Sequence, residues 1–249
     1  MLRRPPNRGR PTLDDMHDVD LAAVGALLGN PSRAAMLDAL MTGRALTATE
    51  LARVADVSAP TASEHLSKLR EGGLVEVVAQ GRHRYHRLAS ADVGAALESL
   101  SLIAPEKRVT TLRESSRARS LAEARTCYDH VAGRCGVALH DGLLGRGWLT
   151  PEPGGYAVSE SGVEGLLAWG VDLATARSAR RRLARPCLDW TERREHLAGA
   201  LAAALATALI EGPEPWFVRR VDDHRGLRPT DLGRTRLAEL GWEPVAQSA

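Results

Sequence analysis

The chain has 249 residues and a formal net charge of only +2, with 44% hydrophobic and 26% charged residues. This composition is typical of a globular protein with a sizeable core, and the length predicts a second structured region beside one small domain. The small net charge excludes a polycation that holds nucleic acid by bulk attraction, so any such contact needs a local basic face.

The sequence carries no signal for a membrane or for export. No apolar run approaches the roughly 18 residues of a membrane span, and the N-terminus lacks the apolar core of a secretion signal. Three cysteines, an odd number, argue against a disulfide framework. We therefore expect a cytoplasmic protein with free thiols and no membrane partner.

Residues 1–15 are rich in Arg, Pro and Gly and show no apolar periodicity, which predicts a flexible basic arm. The arm either contacts the phosphates of a nucleic acid or is a terminus without a role. The sequence leaves both interpretations open.

Four short helices are predicted between residues 19 and 73. Apolar residues recur at three- and four-residue spacing from Leu21 to Leu28, and Asn30 caps a second helix that begins with a proline. A capping-box sequence from Thr47 to Glu50 begins the third helix. Ser58 caps the fourth helix, which a glycine pair ends.

A two-stranded hairpin is predicted after the fourth helix. Its strands are Leu74–Val78 and Arg84–Leu88, and its polar tip is Gln80–His83. A further apolar-striped helix is expected over 90–104, where Pro105 ends it. This order of elements predicts a winged helix-turn-helix domain over residues 16–105, used for DNA binding.

The exposed face of the fourth helix and the hairpin tip carry side chains suited to duplex DNA. Short hydroxyl side chains near a helix N-terminus allow close approach to the major groove, and basic residues at the tip contact neighbouring phosphates. The candidate DNA contacts are Ser58, Thr61, Ser63, Glu64, His65, Lys68, Arg82, His83 and Arg84. For His65 simple packing between helices remains open, and for Lys68 ordinary solvation.

Over about residues 18–104 the sequence resembles the ArsR family of bacterial repressors. The likeness lies in Leu28-Gly29-Asn30-Pro31-Ser32-Arg33, in Glu50-Leu51-Ala52, and in the run 58–75 with Glu64-His65-Leu66-Ser67-Lys68-Leu69 and Gly72-Gly73-Leu74-Val75. The resemblance implies a homodimer, built on the first and last helices of this region, that reads a palindromic operator. It also implies release from DNA by an inducer, although activation instead of repression stays open.

The two places where many ArsR proteins bind metals lack the usual ligands here. The helix before the recognition helix reads Glu50-Leu51-Ala52-Arg53-Val54-Ala55, without a thiol. The last helix of the domain offers Asp92 and Glu98 but neither His nor Cys. The metal-sensor assignment is therefore not carried over, the metal stays unknown, and no cofactor is predicted.

The second half of the chain contains a weak internal repeat. The segments that match are Ala124-Arg125-Thr126-Cys127-Tyr128-Asp129-His130 with Ala184-Arg185-Pro186-Cys187-Leu188-Asp189-Trp190, and His130-Val131-Ala132-Gly133 with His196-Leu197-Ala198-Gly199. Each copy continues into a small-residue helix (137–144 and 201–209), a strand pair and a closing helix that starts near Ser159 or Thr230. We expect a C-terminal domain at 120–245 whose halves, about 120–180 and 181–245, pack about a pseudo-twofold axis.

The two Cys-X-Asp motifs are the best candidates for sensing an inducer. Thiolates near a histidine or carboxylates bind soft metals, and a thiol near an arginine reacts readily with oxidants. The candidate sensing residues are Cys127, Asp129, His130, Cys187, Asp189 and Trp190. Buried packing of the cysteines and a cavity for an organic ligand remain alternatives, Cys135 is interpreted as structural, and the five tryptophans either line a pocket or fill the core.

The predicted fold is mainly α with small β-hairpins, in an α+β arrangement of a winged helix-turn-helix and a repeat-built C-terminal domain. The predicted function is a sequence-specific DNA-binding regulator, a repressor released by an inducer sensed in the C-terminal domain. One alternative is a protein-interaction module, which the hydroxyl-rich, basic face of the fourth helix disfavours. The other is a DNA-binding module fused to a Cys-dependent enzyme with Cys127 as nucleophile and His130 as base. It lacks a recognisable orienting partner or oxyanion loop, so we expect no enzyme.

Overall fold

The structure, a computed structural model, describes residues 19–105, 110–220 and 225–244. The predicted basic arm at 1–15 lies outside these residues. No helix within the described ranges is both long and apolar enough to cross a membrane.

The first part of the chain forms five helices and a three-stranded antiparallel sheet. Its elements are α1 (Leu21–Leu28), α2 (Pro31–Leu40), β1 (Leu46–Thr47), α3 (Ala48–Val54), α4 (Ala59–Glu71), β2 (Val75–Gln80), β3 (His83–Leu88) and α5 (Ala91–Ile103). The strand order is β1-β3-β2, and β2 and β3 form a hairpin with Gln80 opposite His83. The predicted winged helix-turn-helix is confirmed, with a short extra strand before α3.

Side-chain caps explain where these helices begin. The Asn30 side chain accepts a hydrogen bond from the backbone N–H of Arg33, and Ser58 caps α4 in the same way. At the start of α3, Thr47 and Glu50 form both bonds of a capping box. Each such cap stabilises a helix by about 1 kcal/mol, so the chain itself encodes these boundaries.

The core of this first part lies between α2, α3, α4 and the sheet. Its most completely buried side chains are Met36, Leu37, Leu40, Leu51, Ala62 and Leu69. By contrast, none of the eight residues of α1, all of which the structure describes, is fully buried. Helix α1 therefore keeps an apolar surface exposed.

The second part contains the two copies of the repeat. Its elements are α6 (Leu112–Glu123), β4 (Arg125–Cys127), β5 (His130–Ala132), α7 (Arg134–Gly145), β6 (Leu149–Glu152), β7 (Gly155–Val158), α8 (Glu160–Ala168), α9 (Leu173–Ser178), β8 (Arg185–Leu188), β9 (Glu195–Ala198), α10 (Ala200–Glu211), β10 (Phe217–Arg219), β11 (Leu227–Pro229) and α11 (Asp231–Ala238). The series β4-β5-α7-β6-β7-α8 corresponds to β8-β9-α10-β10-β11-α11. Helix α9 has no counterpart among the described residues of the second copy.

The same backbone geometry recurs where each copy passes from its hairpin into its helix. Gly133 caps α7 with a φ of 76°, and Gly199 caps α10 with a φ of 102°. A Cβ at Gly133 would lie 2.7 Å from the carbonyl oxygen of Ala122, and one at Gly199 would lie 2.7 Å from that of Leu183. Only glycine fits both positions, which supports the internal repeat.

A single hydrophobic core spans both copies. The Trp169 ring packs between those of Trp148 and Trp216, with centroid separations of 4.8 and 4.7 Å. Trp242 and Cys135 are also buried in this core. Of the two interpretations of the tryptophans, core volume therefore applies to these four, whereas Trp190 stacks on a guanidinium described below.

Candidate functional site

The exposed face of α4 presents most of the predicted DNA-contacting residues. Ser58, Ser63, Glu64 and Lys68 are exposed, whereas Thr61 and His65 are half-buried. The Ser63 hydroxyl donates to the carbonyl of Ala59 and retains its oxygen lone pairs for a further partner. For His65, Nδ1 is buried without a hydrogen-bond partner among the described residues, which agrees with partial packing between helices.

The hairpin tip places three predicted contacts beside one another. Arg82, His83 and Arg84 are all exposed, and Gly81 closes the turn with a φ of 59°. The tip therefore presents a local basic group at the end of a two-stranded hairpin. A basic tip of this kind suits contact with a phosphate backbone.

Four residues of the repeat converge at the centre of the second part. Cys127 lies directly opposite His130 in the β4–β5 hairpin, and Cys187 lies opposite His196 in the β8–β9 hairpin. The two Sγ atoms are 4.0 Å apart, the two Nε2 atoms 3.1 Å apart, and no two of the four donor atoms are more than 4.8 Å apart. We call these four residues the Cys/His cluster.

A carboxylate stands behind each histidine of the cluster. The Nδ1 atom of His130 lies 3.2 Å from Oδ1 of Asp129, and that of His196 lies 3.5 Å from Oδ2 of Asp189. The first pair is a hydrogen bond and the second an ion-pair contact without hydrogen-bond geometry. The hydrogen bond with Asp129 orients the His130 imidazole, and in both histidines Nε2 faces the centre of the cluster.

The thiols of the cluster differ in their acidity. Burial raises the pKa of the Cys127 thiol well above its usual value, and its hydrogen bond with Cys187 acts in the same direction. The pKa of the Cys187 thiol is strongly lowered, first by its bond with Cys127 and then by His130 and His196. The two thiols of the site thus differ in the direction of their pKa shifts.

A buried chain of charges connects the cluster to the winged helix-turn-helix. Arg125 Nη2 lies 3.0 Å from Oδ2 of Asp189 and 3.4 Å from Oε1 of Glu98, a residue of α5. Arg225 Nη2 lies 3.2 Å from the other oxygen of Glu98, and its Nη1 lies 2.7 Å from Asp38 in α2. The two parts of the molecule are therefore joined by ion pairs, of which those of Glu98 are buried whereas Asp38 is half-exposed.

The turn of the β4–β5 hairpin also packs against the winged helix-turn-helix. Tyr128 adopts a φ of 58° at this turn and adds its ring to the core of the first part. A Cβ at Gly94 of α5 would lie 2.8 Å from Cγ of Tyr128, and one at Gly43 would lie 2.7 Å from the Tyr128 carbonyl oxygen. The residue next to Cys127 is thus in direct contact with α5.

The predicted sensing residues occupy three different positions. Cys127, His130 and Cys187 belong to the cluster, and Asp129 and Asp189 stand behind its histidines. Trp190 lies outside the cluster, with its ring 4.6 Å from the Arg125 guanidinium. His196 was not among the predicted residues. The repeat carried a signal for it, because His196 follows Cys187 in the second copy as His130 follows Cys127 in the first.

Comparison with known proteins finds similarity to the helix-turn-helix region and to most of the chain. The helix-turn-helix domain family matches residues 28–78. The HTH-type transcriptional regulator YdfF of Bacillus subtilis is 41% identical over 215 residues, which cover 86% of this chain and 94% of YdfF. The HTH-type transcriptional regulator Rv0324 of Mycobacterium tuberculosis is 37% identical over 87 residues, 34% of this chain and 38% of that protein.

A solved structure of similar sequence is the homodimeric winged helix-turn-helix DNA-binding domain of Mb0332 from Mycobacterium bovis, described as a possible ArsR-family regulator. It is 31% identical and covers 33% of this chain and 76% of its own, with a TM-score of 0.31. Because the YdfF match includes the Cys/His cluster region, the similarity extends well beyond the helix-turn-helix.

Proposed function

The chain belongs to the HTH-type transcriptional regulators, with the ArsR-like winged helix-turn-helix predicted from its sequence, and from this premise we propose a DNA-binding repressor whose operator affinity is set by its C-terminal domain. The observation that carries the proposal is the exposed, hydroxyl-rich face of α4 beside a basic hairpin tip. In this family of folds, such a helix reads base edges while the neighbouring elements bind the backbone.

We propose that Ser58, Thr61, Ser63, Glu64, His65 and Lys68 face the major groove and that Arg82, His83 and Arg84 bind the adjacent backbone or minor groove. The supporting observation is that α4 begins at an exposed capped end, so its first turn is free to enter a groove. Hydroxyl, amide and basic groups at such an end contact phosphates and base edges.

The regulator is proposed to act as a homodimer on a palindromic operator. Large apolar side chains are exposed on the first and last helices of the winged helix-turn-helix: Leu21 is 77% exposed and Ile103 is 79% exposed, and Val19 just before α1 is 81% exposed. A second copy of the chain that covers these side chains removes them from water. Two copies related by a twofold axis then read two half-sites.

The C-terminal domain, proposed at residues 120–245, is the part that receives the inducer. Its support is the pair of direct contacts with α5, namely the Glu98 ion pairs and the packing of Tyr128 on Gly94. A change in this domain therefore reaches the helix proposed for dimerisation. We further propose that the chain is not an enzyme and that it works in the cytoplasm, where a DNA-binding regulator meets its operator.

The test is binding of the purified full-length chain to labelled DNA from upstream of its own gene, against scrambled DNA, across a salt series by fluorescence anisotropy. We expect selective binding that weakens as salt rises, because the protein displaces counterions from phosphates. The Arg82→Ala, Arg84→Ala variant should lower the slope of log affinity against log salt by about 2 per chain. The control is Arg180→Ala, which removes an exposed arginine of the C-terminal domain and should leave this slope unchanged. Equal affinity for upstream and scrambled DNA at every salt concentration would refute the proposal.

A further inference from the structure

We propose that Cys127, His130, Cys187 and His196 bind one divalent ion of the zinc class, with one sulfur and one nitrogen from each copy of the repeat. The site differs from both places where the ArsR resemblance leads one to look for metal ligands, because it lies wholly in the C-terminal part. The claim that the ion also regulates DNA binding rests on the proposed function, whereas the claim that it binds does not.

The spacing of the four donor atoms fits a tetrahedral ion. With zinc–sulfur bonds of about 2.3 Å and zinc–nitrogen bonds of about 2.0–2.1 Å, the edges of the tetrahedron are about 3.8 Å between sulfurs and about 3.3 Å between nitrogens. The corresponding separations here are 4.0 Å and 3.1 Å. The sulfur–nitrogen edges of the tetrahedron are about 3.6 Å, and the donor atoms here lie up to 4.8 Å apart, so binding the ion requires side-chain movements of about 1 Å.

The arrangement follows from the topology of the two hairpins. Residues directly opposite each other in an antiparallel pair point to the same face, so each hairpin presents its cysteine and its histidine together. Cys127 pairs with His130 and Cys187 with His196, and strands β5 and β9 contact each other. The internal repeat thus supplies two equivalent half-sites that face each other.

The histidines are oriented as metal ligands are. In metal sites the second ring nitrogen usually donates to a carboxylate, which fixes the tautomer that leaves Nε2 free to bind. Asp129 forms this hydrogen bond with Nδ1 of His130, whereas Asp189 lies 3.5 Å from Nδ1 of His196 without hydrogen-bond geometry. The two Nε2 atoms lie 3.1 Å apart, a separation that one bound cation can bridge.

The donor set and its burial select the class of ion. Two cysteine sulfurs and two imidazole nitrogens in a tetrahedron favour zinc-class ions, whereas Mg²⁺ and Ca²⁺ prefer oxygen ligands. Three of the four residues are buried and the fourth, Cys187, is half-buried. Four protein ligands leave no open position for a substrate, so the ion joins the two halves of the domain instead of performing catalysis.

The direct test titrates Co²⁺, a spectroscopic substitute for Zn²⁺, into the reduced, metal-stripped full-length chain without oxygen. We expect the visible bands of tetrahedral Co²⁺ and a thiolate charge-transfer band, saturating at one ion per chain and displaced by Zn²⁺. Cys187→Ala should remove at least half of the charge-transfer intensity, because one of the two thiolate ligands is lost, whereas the matched change Cys135→Ala, at a cysteine in the core outside the cluster, should leave it unchanged. Octahedral-only spectra of the wild-type chain, or equal spectra in both variants, would overturn the site.

A second measurement separates the site from the proposed function. The affinity for upstream DNA is compared between Zn²⁺-loaded and metal-free protein, and we expect a change of at least about fivefold that Cys187→Ala abolishes and Cys135→Ala retains. If Co²⁺ binds as expected but DNA affinity does not change, the regulatory claim is refuted and the metal site stands. If the chain does not bind DNA at all, the proposed function fails, while the cobalt spectrum still decides whether the site exists.

Discussion

Glu98 joins the two parts of the molecule, so its removal has a predictable cost. Its side chain is 2% exposed and accepts from Arg125 at 3.4 Å and Arg225 at 3.2 Å. In Glu98→Ala both guanidinium groups lose a counter-charge in a region that water does not reach. Removing one partner of a buried ion pair costs about 3–5 kcal/mol, a large share of the roughly 5–15 kcal/mol by which proteins are stable.

The assay is equilibrium unfolding in urea, followed by two probes. All five tryptophans follow residue 120, so their fluorescence reports the C-terminal core, whereas far-UV circular dichroism reports helices of both parts. For the wild-type chain we expect the two transitions to coincide. In Glu98→Ala they should separate, because the ion pairs that couple the two cores are broken.

Glu164→Ala provides the control, since it removes an exposed glutamate from α8 and should change the free energy of unfolding by less than about 0.5 kcal/mol. Glu98→Gln keeps the volume and a carbonyl oxygen, so its loss should be smaller than that of Glu98→Ala. A loss below about 1 kcal/mol in Glu98→Ala, with coincident transitions, would refute a coupling through this residue.

Two further substitutions test other contacts. Ile103→Asp places a charge in the proposed dimer surface and should shift the chain from dimer to monomer in analytical ultracentrifugation. The control Leu167→Asp, at an exposed leucine of α8, should leave the dimer intact. An Ile103→Asp variant that is still a dimer would contradict the proposed surface. Gly94→Ala introduces a Cβ only 2.8 Å from Cγ of Tyr128 and should lower stability by about 1–3 kcal/mol. An unchanged melting temperature would show that the Tyr128 turn moves away from α5 without a loss of stability.

Local signals explain why the first part of the fold was predictable. Caps such as Asn30 and Ser58 and the apolar spacing of α4 act within a few residues, and the structure has the helix starts and the hairpin where those signals indicate. Helix α6 was not predicted, since its sequence reads as a charged stretch, although Thr111 and Glu114 form a capping box. Its boundary was thus visible in the sequence while its apolar face was not.

The sequence predicted only those parts of the candidate site that the internal repeat contains. The repeat brought Cys127 and Cys187 together in the prediction because equivalent segments pack about a common axis. The ion pairs of Arg225 with Asp38 and Glu98 join residues 187 and 127 positions apart in the chain, and no local pattern marks them. Such pairings are decided by tertiary packing alone.

The insertion of Tyr128 beneath α5 limits how this architecture can be rearranged. The winged helix-turn-helix and the C-terminal domain are not interchangeable modules on a tether, because Tyr128 packs against the core of the first and Glu98 pairs with two arginines of the second. A transplant of the C-terminal half onto another winged helix would need an acidic residue at the position of Glu98 and a glycine at that of Gly94. A winged helix without this C-terminal domain would have no use for the buried carboxylate of Glu98 or for the missing side chain at Gly94.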